Sequence, residues 1–383
     1  MPEKPEEAKQ RRKRISRQPQ PRESGLVAPV KTCFSVFMQS LVAAIQDGAE
    51  LAPEQVSEAA EALLEENAAV EDKVGFLKAL HERGETATEI ALFVDAFLKH
   101  AVVPPLTADD VDGPMIDVCG TGGDKLDLFN VSTTSIFVLA AGGLTVVKHG
   151  NRGITSKSGG ADVLEALGVR IDLGPEEFAE TIKKYGVGFL FAPRYHPAFK
   201  AVVPVRKILA EQGQKTIFNL LGPLLNPVSP SYQMIGVFDE SLPPIYADIL
   251  SQLGRREAWA VHGKTADGRG VDEMSTMGPT QIHRCRQGKE TDTWSVSPSD
   301  FGMARATVEE LQGGDAELNA AILDGILADK VHGAKRDMIL LNAGAGFAIS
   351  GVAEDIPAGI ELANECLTSG RALAKLRALQ EIG

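Results

Sequence analysis

A short glycine-rich segment is the first place where residue type and spacing could do chemistry. Residues 120–124 read GTGGD and follow the apolar residues 115–118. Backbone N–H groups in such a loop can converge on an oxyanion, because glycine permits both the backbone angles and a close approach. Residues 130–133 (NVST) then open a predicted helix, whose free N–H groups and dipole favour the same anion. The spacing fits neither a Walker loop nor a dinucleotide fingerprint, and a plain glycine turn before a helix cap explains this loop alone equally well.

A second predicted strand end carries cations and amides. Residues 148–152 (KHGNR) follow the apolar residues 144–147, and residues 155–160 (TSKSGG) precede another predicted helix. Lys148 offers a point charge for a pyrophosphate and Asn151 offers both a donor and an acceptor, at the end of the strand where such sheets usually bind ligands. A solvated basic loop is the alternative. Two successive strand ends with glycine and anion donors favour a ligand with two phosphate groups.

Two adjacent carboxylates, Asp272 and Glu273, follow a glycine-bearing loop after the predicted strand at residues 259–262. A hard, partly hydrated cation such as Mg²⁺ binds one or two carboxylates together with the phosphates of a substrate. An isolated acidic pair is usually a solvated surface feature. This pair predicts a cation site because it would complete a pyrophosphate site formed by the two loops.

The elements that position these loops begin with a helical region. Apolar residues recur at helical spacing from residue 33 to residue 100, for example at Phe34, Phe37 and Leu41. Glycine and proline residues divide this region into about four helices, and Thr86 begins a capping box at the start of the last one.

An α/β pattern begins after the stiff connection at residues 103–105. Short apolar runs alternate with amphipathic helices, which predicts a largely parallel sheet. The fold class is therefore α/β, with a small N-terminal helical domain and a larger α/β domain around a mainly parallel central sheet. Gly344 and Gly346 would let the last two predicted helices pack closely. The predicted strands are residues 115–118, 144–148, 188–191, 233–237 and 259–262, and the predicted helices are residues 133–141, 161–167, 318–326 and 338–348.

The change of pattern near residue 103 divides the chain. We predict a helical domain of residues 26–103 and an α/β catalytic domain of residues 104–383. Residues 1–25 contain an RRKR run and scattered prolines. This composition favours a disordered tail over a nucleic-acid arm or an address signal.

Bulk composition limits the partners. The 383 residues carry a formal net charge of -13, which argues against nucleic acid but leaves room for a phosphorylated small molecule in a local positive pocket. The four cysteines form no CxxC pair, which is typical of reduced thiols in a cytoplasm. No run approaches the ~20 apolar residues of a membrane span, and the first 25 residues carry no secretory signal. We therefore predict a cytoplasmic protein with small-molecule substrates and no membrane partner.

In their order along the chain, these motifs resemble the anthranilate phosphoribosyltransferase family. The resemblance runs from about residue 35 to about residue 380 and includes, besides the two loops and the acidic pair, FNVST (129–133), HPAF (196–199), PVR (204–206) and FNLLGPLLNP (218–227). It implies transfer of the phosphoribosyl group of phosphoribosyl pyrophosphate to the amine of anthranilate in tryptophan biosynthesis, with Mg²⁺ as cofactor. It also implies a homodimer, an active site in the cleft between the domains, and packing of residues 193–212 with the helical domain.

The resemblance further implies roles for individual residues, some of which serve two ligands. The contacts implied for phosphoribosyl pyrophosphate are Gly120, Gly123, Asp124, Asn130, Ser132, Thr133, Lys148, His149, Gly150, Asn151, Arg152 and Ser156. The contacts implied for anthranilate are Gly120, His149, Asn151, His196, Phe199 and Arg206. The implied magnesium ligands are Ser132, Asp272 and Glu273, and the implied catalytic residues are Lys148 and Asn151. The guanidinium of Arg206 suits this role because it can pair bidentately with a carboxylate.

Two positions depart from the usual pattern of that family. Gly160 stands where a serine hydroxyl is expected near phosphate, and Leu128 stands where a small hydroxyl residue is usual. Loss of one hydrogen bond to a charged group costs about 1.5–3 kcal/mol. We therefore predict a weakened KM for phosphoribosyl pyrophosphate rather than an inactive enzyme.

Three alternatives stay open from the sequence. A pyrimidine-nucleoside phosphorylase shares this architecture, and residues 159–162 faintly match its glycine-rich segment. A non-catalytic relative that binds nucleic acid would have a degraded KHGNR motif and a basic surface, neither of which this sequence has outside its tail. The acceptor could also be an aromatic amine other than anthranilate.

Overall fold

The computed structural model describes residues 30–153 and 157–382. The predicted tail of residues 1–25, the first residues of the predicted helical domain and Ser156 lie outside the described residues. Within the described part of the chain, no helix is long and apolar enough to cross a membrane.

Residues 30–98 form four helices. Gly84 ends the third of them with a φ of 90°. Thr86 and Glu89 exchange side-chain and backbone hydrogen bonds at the start of the fourth, which is the predicted capping box. The sequence pattern therefore predicted the number of these helices and the break at Gly84, whereas the break between the second and third helices, at residues 65–69, contains neither glycine nor proline and was not predicted. They are α1 (Val30–Gln46), α2 (Pro53–Leu64), α3 (Val70–Arg83) and α4 (Ala87–Leu98).

The larger part is built on one sheet. Its strands are β1 (Met115–Gly120), β2 (Thr145–Gly150), β3 (Val187–Phe191), β4 (Tyr232–Gly236), β5 (Glu257–Lys264), β6 (Gly270–Val271), β7 (Thr280–Arg286) and β8 (Asp292–Val296). The order across the sheet is β3-β2-β1-β4-β5-β7-β8, with β6 paired to β5. The strands from β3 to β5 are parallel, as predicted, whereas β6, β7 and β8 form an antiparallel extension that the sequence did not predict.

Helices connect the strands and complete the C-terminal part. Two short 3-10 segments, Pro197–Val202 and Gly222–Leu224, lie among them. The helices are α5 (Val131–Ala141), α6 (Gly160–Ala166), α7 (Pro175–Tyr185), α8 (Ala192–Tyr195), α9 (Val203–Glu211), α10 (Phe218–Leu221), α11 (Leu242–Gln252), α12 (Val308–Leu311), α13 (Ala316–Leu327), α14 (Ala334–Ser350), α15 (Ile356–Thr368) and α16 (Arg371–Gln380).

Apolar side chains pack on both faces of the sheet. On one face, α5 and helices α13 to α16 cover strand residues such as Val118 and Val146. On the other face, the four N-terminal helices pack together with α9, α10 and α11 against Ile235 and Ala260. Residues of the 193–212 segment thus share a core with the N-terminal helices. Because that core continues onto the sheet, the division into two domains stays a prediction.

The glycines of α14 allow close helix contacts, as predicted, although the contacts are made with other helices than expected. A side chain at Gly344 would lie 2.7 Å from Ile360 of α15, and one at Gly346 would lie 2.6 Å from Leu139 of α5. The sequence had paired α14 with α13. Helix α14 is therefore enclosed between α5 and α15, and its buried face also reaches the loop that carries the acidic pair.

Candidate active site

The two glycine-bearing loops and the acidic pair meet at the carboxyl ends of β1, β2 and β4. Gly120 ends β1 beside Gly236 of β4, and β2 ends at Gly150. A β-carbon on either Gly120 or Gly236 would overlap with atoms of Asp272. Glycine is therefore required at both strand ends, because the acidic loop crosses directly above them.

The glycine loop does hold an oxyanion in this structure, namely a carboxylate of the protein. Gly122, with a φ of 71°, donates its N–H to the Asp272 carboxylate at 2.7 Å. The N-terminus of α5 acts in the same way, since the Ser132 N–H donates to the Glu273 carboxylate at 3.2 Å. The N–H donors that the sequence assigned to an anion thus converge on the acidic pair.

Lys148 connects the second loop to this cluster. Its side chain is 4% exposed, and its ammonium group donates to the Val118 carbonyl at 2.7 Å and to the Ser132 hydroxyl at 3.2 Å. The positive charge of Lys148 also attracts the carboxylate of Glu273 and so partly lowers the pKa of Glu273. A buried ammonium held between β1 and the start of α5 can stabilise a phosphate that binds there.

The donor set at this cluster fits a hard cation. Burial, and then repulsion by Asp124, raises the pKa of Asp272 to about 7. Burial and the charge of Asp272 hold the pKa of Glu273 well above its ordinary value, and burial also raises the pKa of Asp124. The single ammonium of Lys148 does not bring the pKa values of these three carboxyl groups back to their ordinary range, so a cation bound here would stabilise their charged forms. Among the described residues no three acidic, histidine or cysteine side chains could hold an ion alone, and Mg²⁺ commonly completes its shell with water and substrate oxygens.

An aromatic, desolvated region lies on the other side of the second loop. The ring of His149 is 5.3 Å from that of His196 in an edge-to-face arrangement, and the Phe199 ring is 5.3 Å from His196. His196 donates to the Leu225 carbonyl through Nε2 at 2.8 Å. Within the described residues, Nε2 of His149 and Nδ1 of His196 have no hydrogen-bond partner. Burial lowers the pKa of His149 to about 3, so this ring is neutral at neutral pH.

Arg206 provides a positive charge at this aromatic region. Its guanidinium lies 5.6 Å from the centre of the Phe218 ring, and burial lowers its pKa. None of the carboxylates in the described residues forms an ion pair with it. A desolvated guanidinium that stacks on an aromatic ring is suited to a planar ligand that carries a carboxylate.

The remaining residues predicted for the site differ in how they are placed. Asn151 is exposed, and its side-chain oxygen accepts the Arg152 N–H at 2.8 Å. The guanidinium of Arg152 binds the carboxylates of Asp162 and Glu165 on α6. Arg152 therefore holds α6 against the loop, and its contact with a phosphate stays a prediction. Ser156 lies outside the described residues.

The glycine and hydroxyl residues of the prediction lie at the centre of the site. Thr133 is buried beside Gly160, where an added β-carbon would lie 2.8 Å from its hydroxyl oxygen. Gly123 has a φ of 94°, and Gly150 packs against Phe189. Gly160 thus lies beside a predicted phosphate contact. Leu128, in contrast, packs against the apolar core and forms a bridge with Gln312.

Sequence reasoning missed a buried polar link beneath the two loops. Asn226 donates to the Asp117 carboxylate at 2.9 Å and to the Val147 carbonyl at 2.7 Å. Asp117 also accepts the His149 N–H at 3.3 Å. This link fixes the turn after α10 to β1 and β2. An acidic residue inside the apolar segment 115–118 was the signal that could have revealed it, because a buried carboxylate needs partners.

Comparison with protein families gives two matches that together span most of the chain. The glycosyl transferase family, a/b domain, matches residues 112–373. The glycosyl transferase family, helical bundle domain, matches residues 39–101. The boundary between these matches falls close to the change of pattern at residues 103–105.

Similar proteins carry one common description. A protein of Haloferax volcanii, named anthranilate phosphoribosyltransferase, is 42% identical over 345 residues, which is 90% of this chain and 100% of the relative. A protein of Persephonella marina with the same name is 41% identical over 345 residues, which is 90% of this chain and 98% of the relative.

Solved structures agree with these relatives. Anthranilate phosphoribosyltransferase from Thermus thermophilus aligns with a TM-score of 0.80 and 38% identity, and the alignment covers 89% of this chain and 98% of that chain. The Saccharomyces cerevisiae enzyme in complex with phosphoribosyl pyrophosphate and Mg aligns with a TM-score of 0.76 and 28% identity over 92% of this chain and 98% of that chain. The same yeast enzyme in complex with 4-fluoroanthranilate aligns with a TM-score of 0.76 and 27% identity over 92% and 97% of the two chains.

Proposed function

The chain belongs to the anthranilate phosphoribosyltransferase family, and we propose that its donor and acceptor half-sites lie on either side of Lys148 and His149. The enzyme transfers the phosphoribosyl group of phosphoribosyl pyrophosphate to the amine of anthranilate in tryptophan biosynthesis, and Mg²⁺ is its cofactor. The products are phosphoribosyl anthranilate and pyrophosphate.

The donor half-site consists of the glycine loop at residues 120–124, the start of α5 at residues 130–133, Lys148 and the acidic pair. Asp272 and Glu273, with the hydroxyl of Ser132, would hold Mg²⁺, which supplies positive charge to a departing pyrophosphate. This proposal is supported by the excess of buried carboxylates over the single ammonium of Lys148. The contacts of Gly150, Asn151, Arg152 and Ser156 with the donor belong to the same proposal.

The acceptor half-site consists of His149, His196, Phe199, Arg206 and Phe218. One observation carries it: Arg206 is a desolvated cation that forms no ion pair within the described part of the chain, and it lies on an aromatic ring. Anthranilate is a planar aromatic carboxylate, so its carboxylate can pair with the guanidinium while its ring packs among the aromatic side chains.

The reaction requires little acid–base chemistry from these residues. The amine nitrogen of anthranilate forms a bond to C1′ of the ribose as the bond from C1′ to pyrophosphate breaks, and positive charge develops on the ribose ring. The amine nitrogen then loses one proton to pyrophosphate or water, which gives the neutral product. Lys148 is placed to stabilise the departing negative charge. The N–H groups of Gly122 and Ser132 hold the carboxylates of Asp272 and Glu273, which would bind Mg²⁺. His149 stays neutral near the developing positive charge, since burial keeps its pKa near 3. Alignment of the amine with C1′ accounts for much of the rate enhancement. Lys148 and Asn151 are the catalytic residues of this proposal.

The remaining parts of the proposal concern organisation. The boundary between the helical and catalytic domains near residue 103 is supported by the change of pattern there. We also propose that the enzyme is a homodimer and acts in the cytoplasm, where tryptophan precursors and reduced thiols occur together.

The fluorescence of anthranilate tests the proposal directly. We expect it to fall when the enzyme receives both phosphoribosyl pyrophosphate and Mg²⁺. The substitution Lys148→Met should lower kcat by at least about 100-fold, because it removes the buried positive charge at the donor half-site. The matched control is Lys78→Met, since Lys78 is an exposed lysine on α3 that pairs with Glu82 at 3.7 Å. Full activity of Lys148→Met would contradict the proposed half-sites. Phosphorolysis of thymidine or uridine without consumption of anthranilate would contradict the assigned reaction.

A further inference from the structure

A buried asparagine on α13 determines the orientation of a donor-site amide. The side chain of Asn319, which is 3% exposed, donates to the side-chain oxygen of Asn130 at 2.8 Å. Because that oxygen of Asn130 is used, its NH₂ group faces the Ser158 carbonyl, at 3.3 Å. Asn319 also accepts the Gly314 N–H at 2.9 Å, which fixes its own orientation. The amide at the start of α5 is therefore oriented from a helix 189 residues further along the chain.

The segment that carries Asn130 has little freedom to move away from Asn319. The Gly313 N–H donates to the Asp127 carbonyl at 2.9 Å, and the Phe129 N–H donates to the Leu311 carbonyl at 3.1 Å. A β-carbon at Gly313 would lie 2.7 Å from Cα of Phe129. Backbone hydrogen bonds and close packing thus hold the two segments together, so the link between the two asparagines has a defined geometry.

A second buried asparagine, on α14, fixes the loop of the acidic pair. Asn342 is fully buried. It accepts the Met274 N–H at 3.0 Å and donates to the Met274 carbonyl at 2.9 Å and to the Met338 carbonyl at 2.9 Å. An asparagine amide matches the donor and acceptor of one residue's backbone. Both sides of Met274 are therefore fixed, and Met274 directly follows Glu273.

We propose that Asn319 and Asn342 are positioning residues of the donor half-site, the first acting through Asn130 and the second through Glu273. This inference rests on the proposed function, because it takes Asn130 as a contact of phosphoribosyl pyrophosphate and Glu273 as a magnesium ligand. Neither asparagine needs to touch a substrate. Through these asparagines, the packed helices α13 and α14 fix the start of α5, which would contact the pyrophosphate, and the loop of the acidic pair, which would bind the cation.

The first experiment is a double-mutant cycle on Asn130 and Asn319. Calorimetry with Mg²⁺ and without anthranilate measures the dissociation constant of phosphoribosyl pyrophosphate for Asn130→Ala, Asn319→Ala and the double variant. We expect Asn319→Ala to weaken binding about tenfold, the equivalent of one hydrogen bond. Asn319→Ala should change the KM for anthranilate less than about twofold. In the Asn130→Ala background it should raise the dissociation constant of phosphoribosyl pyrophosphate by less than about a further twofold. Asn364→Ala on α15 is the matched control, because Asn364 binds Arg336 at 2.9 Å and no segment of the donor half-site.

The outcomes separate the two proposals. Unchanged binding by Asn130→Ala would contradict the assignment of the donor half-site itself. Weakened binding by Asn130→Ala together with normal binding by Asn319→Ala would overturn only the role of Asn319. Full additivity in the double variant would also overturn it, because Asn319 would then act independently of Asn130.

The second experiment concerns Asn342 and the cation. We expect Asn342→Ala to raise the Mg²⁺ concentration required for half-maximal binding of phosphoribosyl pyrophosphate about tenfold, since a misplaced Glu273 is a weaker ligand. Asn342→Ser introduces a hydroxyl that can replace one hydrogen bond to Met274, and it should show a smaller rise. It also provides the measurement if the alanine variant does not fold. An unchanged Mg²⁺ requirement in a folded Asn342 variant would refute the role of Asn342.

Discussion

The substitution Arg206→Gln should separate substrate affinity from protein stability. Glutamine keeps much of the length of the side chain and its hydrogen-bonding capacity but removes the charge. Among the described residues that charge is desolvated and lacks an ion pair, and it contacts the Phe218 ring at 5.6 Å. The charge therefore contributes little to the folded protein alone, whereas it can pair with the carboxylate of anthranilate.

The magnitudes follow from these contacts. The contact of a cation with an aromatic ring is worth about 0.5–2 kcal/mol, and removal of a desolvated charge offsets much of this loss. We therefore expect the free energy of unfolding of the unliganded protein to change by less than about 1 kcal/mol. A hydrogen bond to a charged group is worth about 1.5–3 kcal/mol, which corresponds to a rise in the KM for anthranilate of about 10- to 150-fold.

Steady-state kinetics and urea unfolding measure these two quantities. Arg206→Lys should give an intermediate KM, because lysine keeps the charge but cannot form a bidentate pair. Lys207→Gln is the matched control, since Lys207 is the adjacent, exposed cation on α9. A KM for anthranilate within twofold of the parent value in Arg206→Gln would refute the reasoning. An equal rise in the KM for phosphoribosyl pyrophosphate would contradict the assignment of Arg206 to anthranilate.

Three further predictions concern the donor loops and the histidine. Gly160→Ser should bind phosphoribosyl pyrophosphate about 10- to 150-fold more tightly than Gly160→Ala in calorimetry, because both displace Thr133 but only serine adds a hydroxyl; equal affinities would show that no phosphate oxygen lies there. Gly120→Ala should abolish activity by displacing the acidic loop, whereas Gly75→Ala, which meets no atom within 4 Å, should raise the free energy of unfolding by about 0.5–1 kcal/mol in urea titrations. The pKa of His149 is about 3 in the folded protein and about 6.5 in the unfolded chain. The contribution of neutral His149 to stability is fully present above pH 6.5 and is about 2 kcal/mol smaller at pH 5. In urea titrations, the free energy of unfolding of His149→Gln should therefore fall by about 2 kcal/mol less than that of the parent protein between pH 7 and pH 5.

Local sequence rules predicted those parts of the fold that depend on nearby residues. The capping box at Thr86 and the break at Gly84 depend on a few adjacent residues, and both were found where the sequence placed them. The antiparallel strands β7 and β8 were missed because they are amphipathic and carry Arg284, Arg286 and Asp292, whose ion pairs form only after pairing. The contacts of α14 depend on which helices meet in space, and its glycines indicated only that some helix approaches closely.

The same distinction applies to the site. Glycine loops and an acidic pair can be recognised in the sequence, because each motif owes its chemistry to adjacent residues. The link of Asn226 to Asp117 joins positions 109 residues apart, and that of Asn319 to Asn130 joins positions 189 apart. An asparagine has no distinctive spacing, so these links become visible only when the fold brings the segments together. The use of Arg152 to hold α6 spans only 10 to 13 residues and was missed because the family resemblance had assigned this residue to phosphate.

The two half-sites hold buried ionisable groups of opposite kind, with the neutral ring of His149 between them. Buried carboxylates outnumber the Lys148 ammonium at the donor half-site, while Arg206 has no anionic partner among the described residues at the acceptor half-site. A cation with its pyrophosphate and an aromatic carboxylate each bring what the respective half-site lacks. A protonated His149 would add positive charge beside Lys148 and beside the ribose, where positive charge develops during the transfer. Burial, the neighbouring His196 and the charge of Lys148 together prevent this by lowering the pKa of His149, so the ring lies between the two half-sites without opposing the reaction.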